Sequence, residues 1–481
     1  MLPILPNIVS LITATILSIY TLILAFLPTP AYIEGTDMQP ASFLPNQAHN
    51  QNEKTISSLI YRGLFKYDIY GAIIPDLAET WSVSDDGLTY TIKIKDNQYW
   101  SNGQKITSND LIYTAFNFPD LTGVATDKVD DLTVRYTLPN KYAPFLSLMT
   151  IGIMPAHAVE QDNPLFPVSN GDFRIARVQR SGKIIKQITL VTTESKYEIK
   201  KMDFKYYSNE DELATAAKLG EITAFLSSDE YKLENFYDFK FPLQGIYYAL
   251  FFNLRSEKLQ DLVVRQKLEK VLPVDKLIAP YGIRAQGPIS RSLFTDRAVE
   301  VSRYDSKFKD SLGDVHLTIT VPDISAHVLL AKQIQSLWES NLGISVDLKV
   351  VKPEDIVSQV IEPRDFEVLL YGQEVGRDPD RYVLWHSAQK NPPGLNITGF
   401  DQVRADRALE AGREELDNEK RVVHYNEFQK SLTEQVPAVF LYHPFTHYYV
   451  SKYFTGIGEK YTHTYSDRFL DFENWHLTRT N

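Results

Sequence analysis

The sequence predicts an α/β protein of two or three lobes standing behind an N-terminal membrane-spanning segment. Three observations carry this expectation. The chain has 481 residues, too many for one ordinary core. Strand and helix patterns alternate between residues 317 and 371. Finally, Ile8 to Leu27 is an almost continuous apolar run, and no Lys, Arg, Asp or Glu appears before Glu34.

The apolar run has the length of about 20 residues that a helix needs to cross a hydrocarbon core. Pro3 and Pro6 precede it, and Pro28 and Pro30 follow where they would end a helix. A basic n-region is missing and Thr29-Pro30-Ala31 makes a poor cleavage site, so residues 1–31 read as an uncleaved signal anchor with the remainder outside. Ala31 to Lys54 is polar and lacks periodicity, which predicts a tether leading into a first strand.

Beyond it, Ile56, Leu59, Ile60, Gly63 and Leu64 have helical spacing and predict a helix over 56–67 with one buried face. Thr89 to Lys95 alternates strictly, with Tyr90, Ile92 and Ile94 on one side, as in a half-buried strand. Ser84-Asp85-Asp86-Gly87 before it reads as a turn in which Gly87 takes a positive φ. A calcium loop would need further oxygen ligands at set spacing, and none follow.

In the second half, Leu317–Val321 reads as a strand. Leu330, Ile334, Leu337 and Trp338 then line one face of a helix that Gly343 terminates. Ile344, Val346, Leu348 and Val350 form the next strand, and residues 367–371 another. Such strand–helix–strand units predict a largely parallel sheet covered by helices. Asp417 is placed to cap a further helix whose Val422, Tyr425, Gln429 and Leu432 share a face.

Composition narrows the function classes. Lys and Arg number 50 against 61 Asp and Glu, a net charge of -11 that disfavours nucleic acid as a partner. With no cysteine, the chain has no disulfide, thiolate metal site, Cys nucleophile or lipid attachment through an N-terminal Cys. It also has no His-Glu-x-x-His, Gly-x-Ser-x-Gly, phosphate loop or Gly-x-Gly-x-x-Gly. His443 and His447 have a helical zinc spacing, but their aromatic, proline-containing setting is extended. Residues four apart would then stand about 13 Å from each other, too far to share one ion. Carboxylates are plentiful and no pair stands out as a glycosidase pair. The expectation is a protein that is not an enzyme and has no catalytic residues, metal or cofactor.

Four stretches stand out in order: Leu64-Phe65-Lys66-Tyr67-Asp68, Pro75-Asp76-Leu77-Ala78-Glu79-Thr80-Trp81, the hairpin from Ser84 to Ile94, and Trp100-Ser101-Asn102-Gly103 before a Thr-capped helix. Together they resemble the peptide/nickel-type (family 5) extracellular solute-binding proteins of ABC importers. Phe252-Asn253-Leu254, Val264-Arg265-Gln266-Lys267-Leu268, Gly287-Pro288-Ile289, Asp378-Pro379-Asp380, Asn396-Ile397-Thr398-Gly399-Phe400 and Val436-Pro437-Ala438 follow in the family's order. Asn170-Gly171-Asp172-Phe173 departs from the family's usual Gly-Thr-Gly-Pro-Tyr, and Phe118 to Gly123 is shortened.

The resemblance covers nearly all of residues 32 to 460. It implies a two-lobed periplasmic-binding-protein-like fold (type II, cluster C-like) with mixed sheets flanked by helices. The first lobe would be 33–250 with 445–481 returning to it, the second 251–444, and ligand would sit between them. It further implies a monomer that captures a peptide or other small solute outside the cytoplasm and passes it to the permease and ATPase subunits of an ABC importer. A surface sensor or scavenger with the same fold, and a cell-surface hydrolase, are the alternatives.

In peptide-binding relatives an aspartate three residues before the Asp-Pro pair holds the ligand's α-amino group. Here that position is Val375, with Glu374 beside it. The candidate ligand-binding residues are therefore Gly171 through its backbone, Asn253, Glu374, and the aromatic surfaces of Tyr247, Tyr371 and Trp385, each of which also suits core packing.

Overall fold

A computed structural model describes residues 31–158, 163–289 and 304–478. The expected signal anchor lies outside the described residues. Among those described, no helix is long and apolar enough to cross a membrane.

The chain folds as two α/β lobes. In the first, β1 (Tyr32–Thr36) lies inside the sheet from its first residue. Tyr32 is 0% exposed, and the stretch expected to be a tether is instead part of the core. Tyr32 packs its ring against Phe454, Phe469, Phe472 and Trp475, and residues 41–50 are gathered by Glu53 on α1 (Gln51–Ile60). Its buried carboxylate accepts from the backbone N–H groups of Ala41, Ser42, His49 and Asn50. Burial alone would raise its pKa, but these four donors hold it below the usual carboxylate range. Residues 41–50 thus lack periodicity because they wrap around one side chain. The expected helix over 56–67 likewise ends at Ile60, after which Phe65–Tyr67 pairs as a strand with Ile73–Pro75.

A four-stranded antiparallel sheet projects from this lobe: β2 (Ala78–Val83), β3 (Thr89–Ile94), β4 (Ala125–Lys128) and β5 (Thr133–Thr137), in the order β2-β3-β5-β4. Gly87 turns the first hairpin at φ 71°, and Asp86 spends its carboxylate on Ser84 and the Leu88 N–H of the same turn. The main sheet of the lobe adds β6 (Arg174–Ser181), β7 (Ile184–Val191), β8 (Lys201–Tyr206), β9 (Ala224–Ser227) and β10 (Phe236–Pro242), with β1 parallel to β8 and β9.

The second lobe holds β11 (Ile246–Phe252), β12 (Gly282–Arg284), β13 (His316–Pro322), α2 (Ser325–Leu342), β14 (Ser345–Val351), β15 (Val368–Glu374) and α3 (Asn418–Gln435). Gly343 ends α2 at φ 62°, and Asp417 caps α3 by accepting from the N–H groups of Glu419 and Lys420. β13 is parallel to β14 and β15, whereas β11 is antiparallel to β15. The sheet is therefore mixed rather than largely parallel.

One long strand, β16 (Ala438–Ser451), joins the lobes. Its first half pairs with β11 and β12 and its second half with β9 and β10, making a 12-stranded sheet. The other crossing is residues 243–245. A Cβ on Gly245 would stand 2.5 Å from the His463 carbonyl oxygen, so only glycine allows the crossing to pass the C-terminal segment this closely.

Candidate functional site

The lobes meet through the loop that follows β15. Arg381 builds this loop from inside: buried, it donates to the carbonyls of Pro288 (2.8 Å), Asp378 (2.6 Å), Asp380 (3.0 Å) and Gly376 (3.1 Å). Burial lowers its pKa. Asp378 receives two bonds from Arg421, at 3.0 and 2.8 Å, and Asp380 two from Arg413, at 2.9 and 2.7 Å. The Asp-Pro-Asp run is thus a structural knot within the second lobe.

From this knot Arg377 reaches the first lobe. It pairs with Asp467 and lies over the ring of Tyr67, 4.4 Å from its centroid, with Tyr461 at 5.7 Å. Beside it, His463 Nε2–H donates to the Val375 carbonyl at 2.8 Å. Farther along, the Ala143 N–H donates to the Arg413 carbonyl at 2.8 Å.

These contacts bound a cavity of about 500 Å³ whose walls come from both lobes. The first lobe supplies Phe65, Tyr67, Tyr70, Trp81, Val83 and Tyr461, the second Arg377, Asp378, Leu416 and Arg421. Tyr70, Trp81, Val83 and Leu416 are 73%, 43%, 38% and 42% exposed, unusual for large apolar groups converging on one place. Two further hollows flank the cleft. One of about 810 Å³ is lined by Tyr142, Tyr382, Arg407 and Arg413, and one of about 120 Å³ by Asn52, Ser227, Thr446 and Arg468.

None of the six residues nominated from sequence lines the 500 Å³ cavity. Tyr247 is fully buried in the second-lobe core, where its hydroxyl donates to Gln373 and burial raises its pKa. Trp385 belongs to the same core, against Phe251, Phe400 and Phe440. Tyr371 is half-buried on β15 and packs against it. Asn253 is buried and donates to the carbonyls of Arg364 (3.1 Å) and Phe366 (2.8 Å). Gly171 lies against the end of α1: a Cβ there would stand 2.4 Å from the Ile60 carbonyl carbon. Its N–H donates to that carbonyl at 2.7 Å.

Glu374 alone stands exposed in the cleft, paired with Lys54 of the first lobe at 3.2 Å. Val375 is buried, its N–H given to Gly245 and its carbonyl to His463. Sequence reasoning missed Tyr70, Trp81, Arg377 and Leu416. Trp81 and Arg377 lie inside or beside the motifs that carry the family resemblance, but nothing local shows that they meet. His443 and His447, on β16, have separate partners: the Ile246 carbonyl at 2.8 Å and the Asp238 carboxylate at 3.0 Å.

Residues 72–394 match the model of the bacterial extracellular solute-binding proteins, family 5 Middle. The chain belongs to this family. It is a solute-binding protein rather than an enzyme, and an extracytoplasmic location fits the family. Relatives of this family-5 protein include the oligopeptide-binding protein AppA of Bacillus subtilis, 22% identical over 471 residues and covering 86% of each chain. Among solved structures, the ABC transporter substrate-binding protein CtaP of Listeria monocytogenes superposes with a TM-score of 0.80 at 22% identity, covering 93% of this chain and 99% of that one. NikZ of Campylobacter jejuni, in complex with Ni(L-His), does so with a TM-score of 0.74 at 22% identity, covering 93% and 100%. These superpositions establish the shared two-lobed fold.

Proposed function

We propose that this family-5 protein captures a peptide-like solute between its lobes and presents it, as a monomer, to the permease of an ABC importer. Residues 8–27 hold it on the outer face of the membrane. The observation that carries the binding site is the 500 Å³ cavity, whose exposed apolar side chains come from both lobes. Its size suits a small ligand. A ligand touching both walls has its full contacts only in the closed form, and so shifts the lobes toward closure.

Several relatives are described as oligopeptide- or dipeptide-binding, and a peptide suits a site with aromatic walls and paired charges. The hinge in this reading is residues 243–245 with 443–446. The lobes are then 32–242 with 447–478, and 246–442, in place of the 33–250 with 445–481 and the 251–444 that the resemblance implies.

Mass spectrometry of small molecules released from the purified full chain tests the ligand class: peptides are expected, and a metal chelate or sugar alone would overturn the peptide assignment. Scattering should show a smaller radius with bound ligand. For the anchor, N-terminal sequencing of the membrane-associated protein should find the first residues retained; a mature chain beginning near residue 31 would refute it.

A further inference from the structure

The charges around the 500 Å³ cavity say which peptides it takes. Arg421 is bound bidentately by Asp378, and Arg377 is paired with Asp467. Asp467 is fixed in turn by the N–H groups of His463 (2.7 Å) and Thr464 (2.8 Å). A charged ligand group entering here meets counter-ions already neutralised by protein partners, and loses its hydration without compensation. Glu419 lies at the rim in solvent, where screening leaves a new ion pair worth little.

One polar atom does lack a partner. The Arg377 side chain is nine-tenths buried, and its Nη1 finds no hydrogen-bond acceptor among the described residues. It lies beside Gly71 and Tyr461, both of which line the cavity. A buried donor without an acceptor is costly, and an incoming oxygen relieves that cost. Because Asp467 already offsets the guanidinium charge, a neutral carbonyl oxygen suffices and a second carboxylate gains little.

We propose that the cavity between Trp81 and Leu416 takes an uncharged, bulky apolar or aromatic segment of the ligand, with Arg377 Nη1 donating to one of its carbonyl oxygens. The proposal rests on the peptide reading above and sharpens it. The aromatic faces of Tyr67, Tyr70 and Trp81 offer ring contacts on one wall, and Leu416 closes the other. Gly71, at φ 86°, keeps the turn between them open where a Cβ would press to 3.1 Å from Tyr461.

The test is calorimetric titration of the detergent-solubilised full chain with four acetylated and amidated alanine tripeptides. Their central residue is phenylalanine, leucine, glutamate or lysine. The phenylalanine and leucine probes should bind about tenfold or more tightly than the charged pair. Trp81→Ala and Leu416→Ala, on different lobes and both partly exposed, should each erode that preference while the melting temperature falls only slightly, more for Trp81, whose ring packs edge-on against Phe65. Arg377→Met should weaken all four probes and leave their ranking unchanged.

Equal binding of charged and apolar probes overturns the inference while leaving peptide binding intact. So does a preference that survives both wall variants, since the side chain then sits elsewhere. Unchanged affinity of the phenylalanine probe in Arg377→Met removes the donor assignment. If neither the probes nor a mixed peptide pool binds, the inference and the peptide reading fall together.

Discussion

Lys54 Nζ stands 3.2 Å from Glu374 Oε1, an ion pair that joins α1 of the first lobe to the end of β15 in the second. It occupies the one nominated position that faces the cleft. Both side chains are about half exposed, so the pair contributes little, about 0–1 kcal/mol, and less at high salt. Lys54→Ala should therefore leave the melting temperature nearly unchanged and open the lobes slightly in scattering at low salt.

The same pair bears on ligand amino groups. Glu374 already has a cation beside it, and Val375 is buried with its backbone N–H and carbonyl both engaged. N-acetylation of a bound peptide should then change affinity only slightly, by less than about tenfold. A large loss on acetylation that disappears in Glu374→Gln would show that a ligand ammonium displaces Lys54.

Arg377 and Asp467 form a less exposed link, with side chains 10% and 7% exposed. Removing one partner leaves the other charge buried at an interface, which costs about 3–5 kcal/mol unless the lobes part. Asp467→Asn should thus shift the ligand-free protein toward the open form. An increase in radius of gyration with little change in melting temperature is expected; a lower melting temperature at unchanged radius would mean the pair holds the fold rather than the cleft.

What the sequence revealed was mostly local. The strand over 89–94, the Gly87 turn, the Gly343 helix stop and the Asp417 cap were readable because a few neighbouring residues decide each. The place of residues 31–50 was hidden because it depends on distant partners: β1 pairs with β8 and β9, and the Glu53 carboxylate gathers backbone donors from both ends of the 41–50 loop. The candidate site suffered similarly. Tyr247 and Trp385 look alike in sequence whether they pack a core or line a wall, and the pleat of β11 turns Tyr247 inward. Trp81 and Leu416 are far apart along the chain, and they come to one cavity only because the two lobes meet there.

Acid should destabilise the protein through two buried histidines. Burial lowers the pKa of His327 to about 4. It lowers that of His463 to about 3, with Arg377 nearby acting in the same direction. Unfolded, both titrate near 6.5. Between that value and the folded pKa the unfolded chain binds more protons, so stability is full above about pH 6.5 and falls as pH drops toward 4. At pH 5 the loss is about 2 kcal/mol for each. Melting temperatures measured from pH 7 to 4 should fall more steeply in the native chain than in His327→Gln or His463→Gln. Parallel curves would mean that carboxylates alone govern the acid limb.

The deepest charge pair tests how the C-terminal segment is held. Glu34 on β1 and Arg468 are each about 2% exposed, and Arg468 Nε donates to Glu34 at 3.2 Å while a second guanidinium nitrogen also contacts it. Tyr32 donates to the same carboxylate and lies 2.6 Å from the Tyr448 hydroxyl, so strand β1, strand β16 and the tail converge on one acid. Arg468→Met removes the only cation bonded to Glu34 among the described residues and leaves a buried carboxylate facing two phenols. A cost of about 3–5 kcal/mol follows, read as a lower urea midpoint. Adding Glu34→Gln should recover much of it, because the orphaned charge, rather than the lost attraction, is the larger penalty. If the double variant is no more stable than Arg468→Met alone, the pair's value lies in packing of the long arginine stem against Phe469 and Tyr448, which the guanidinium overlies at 4.4 and 5.6 Å.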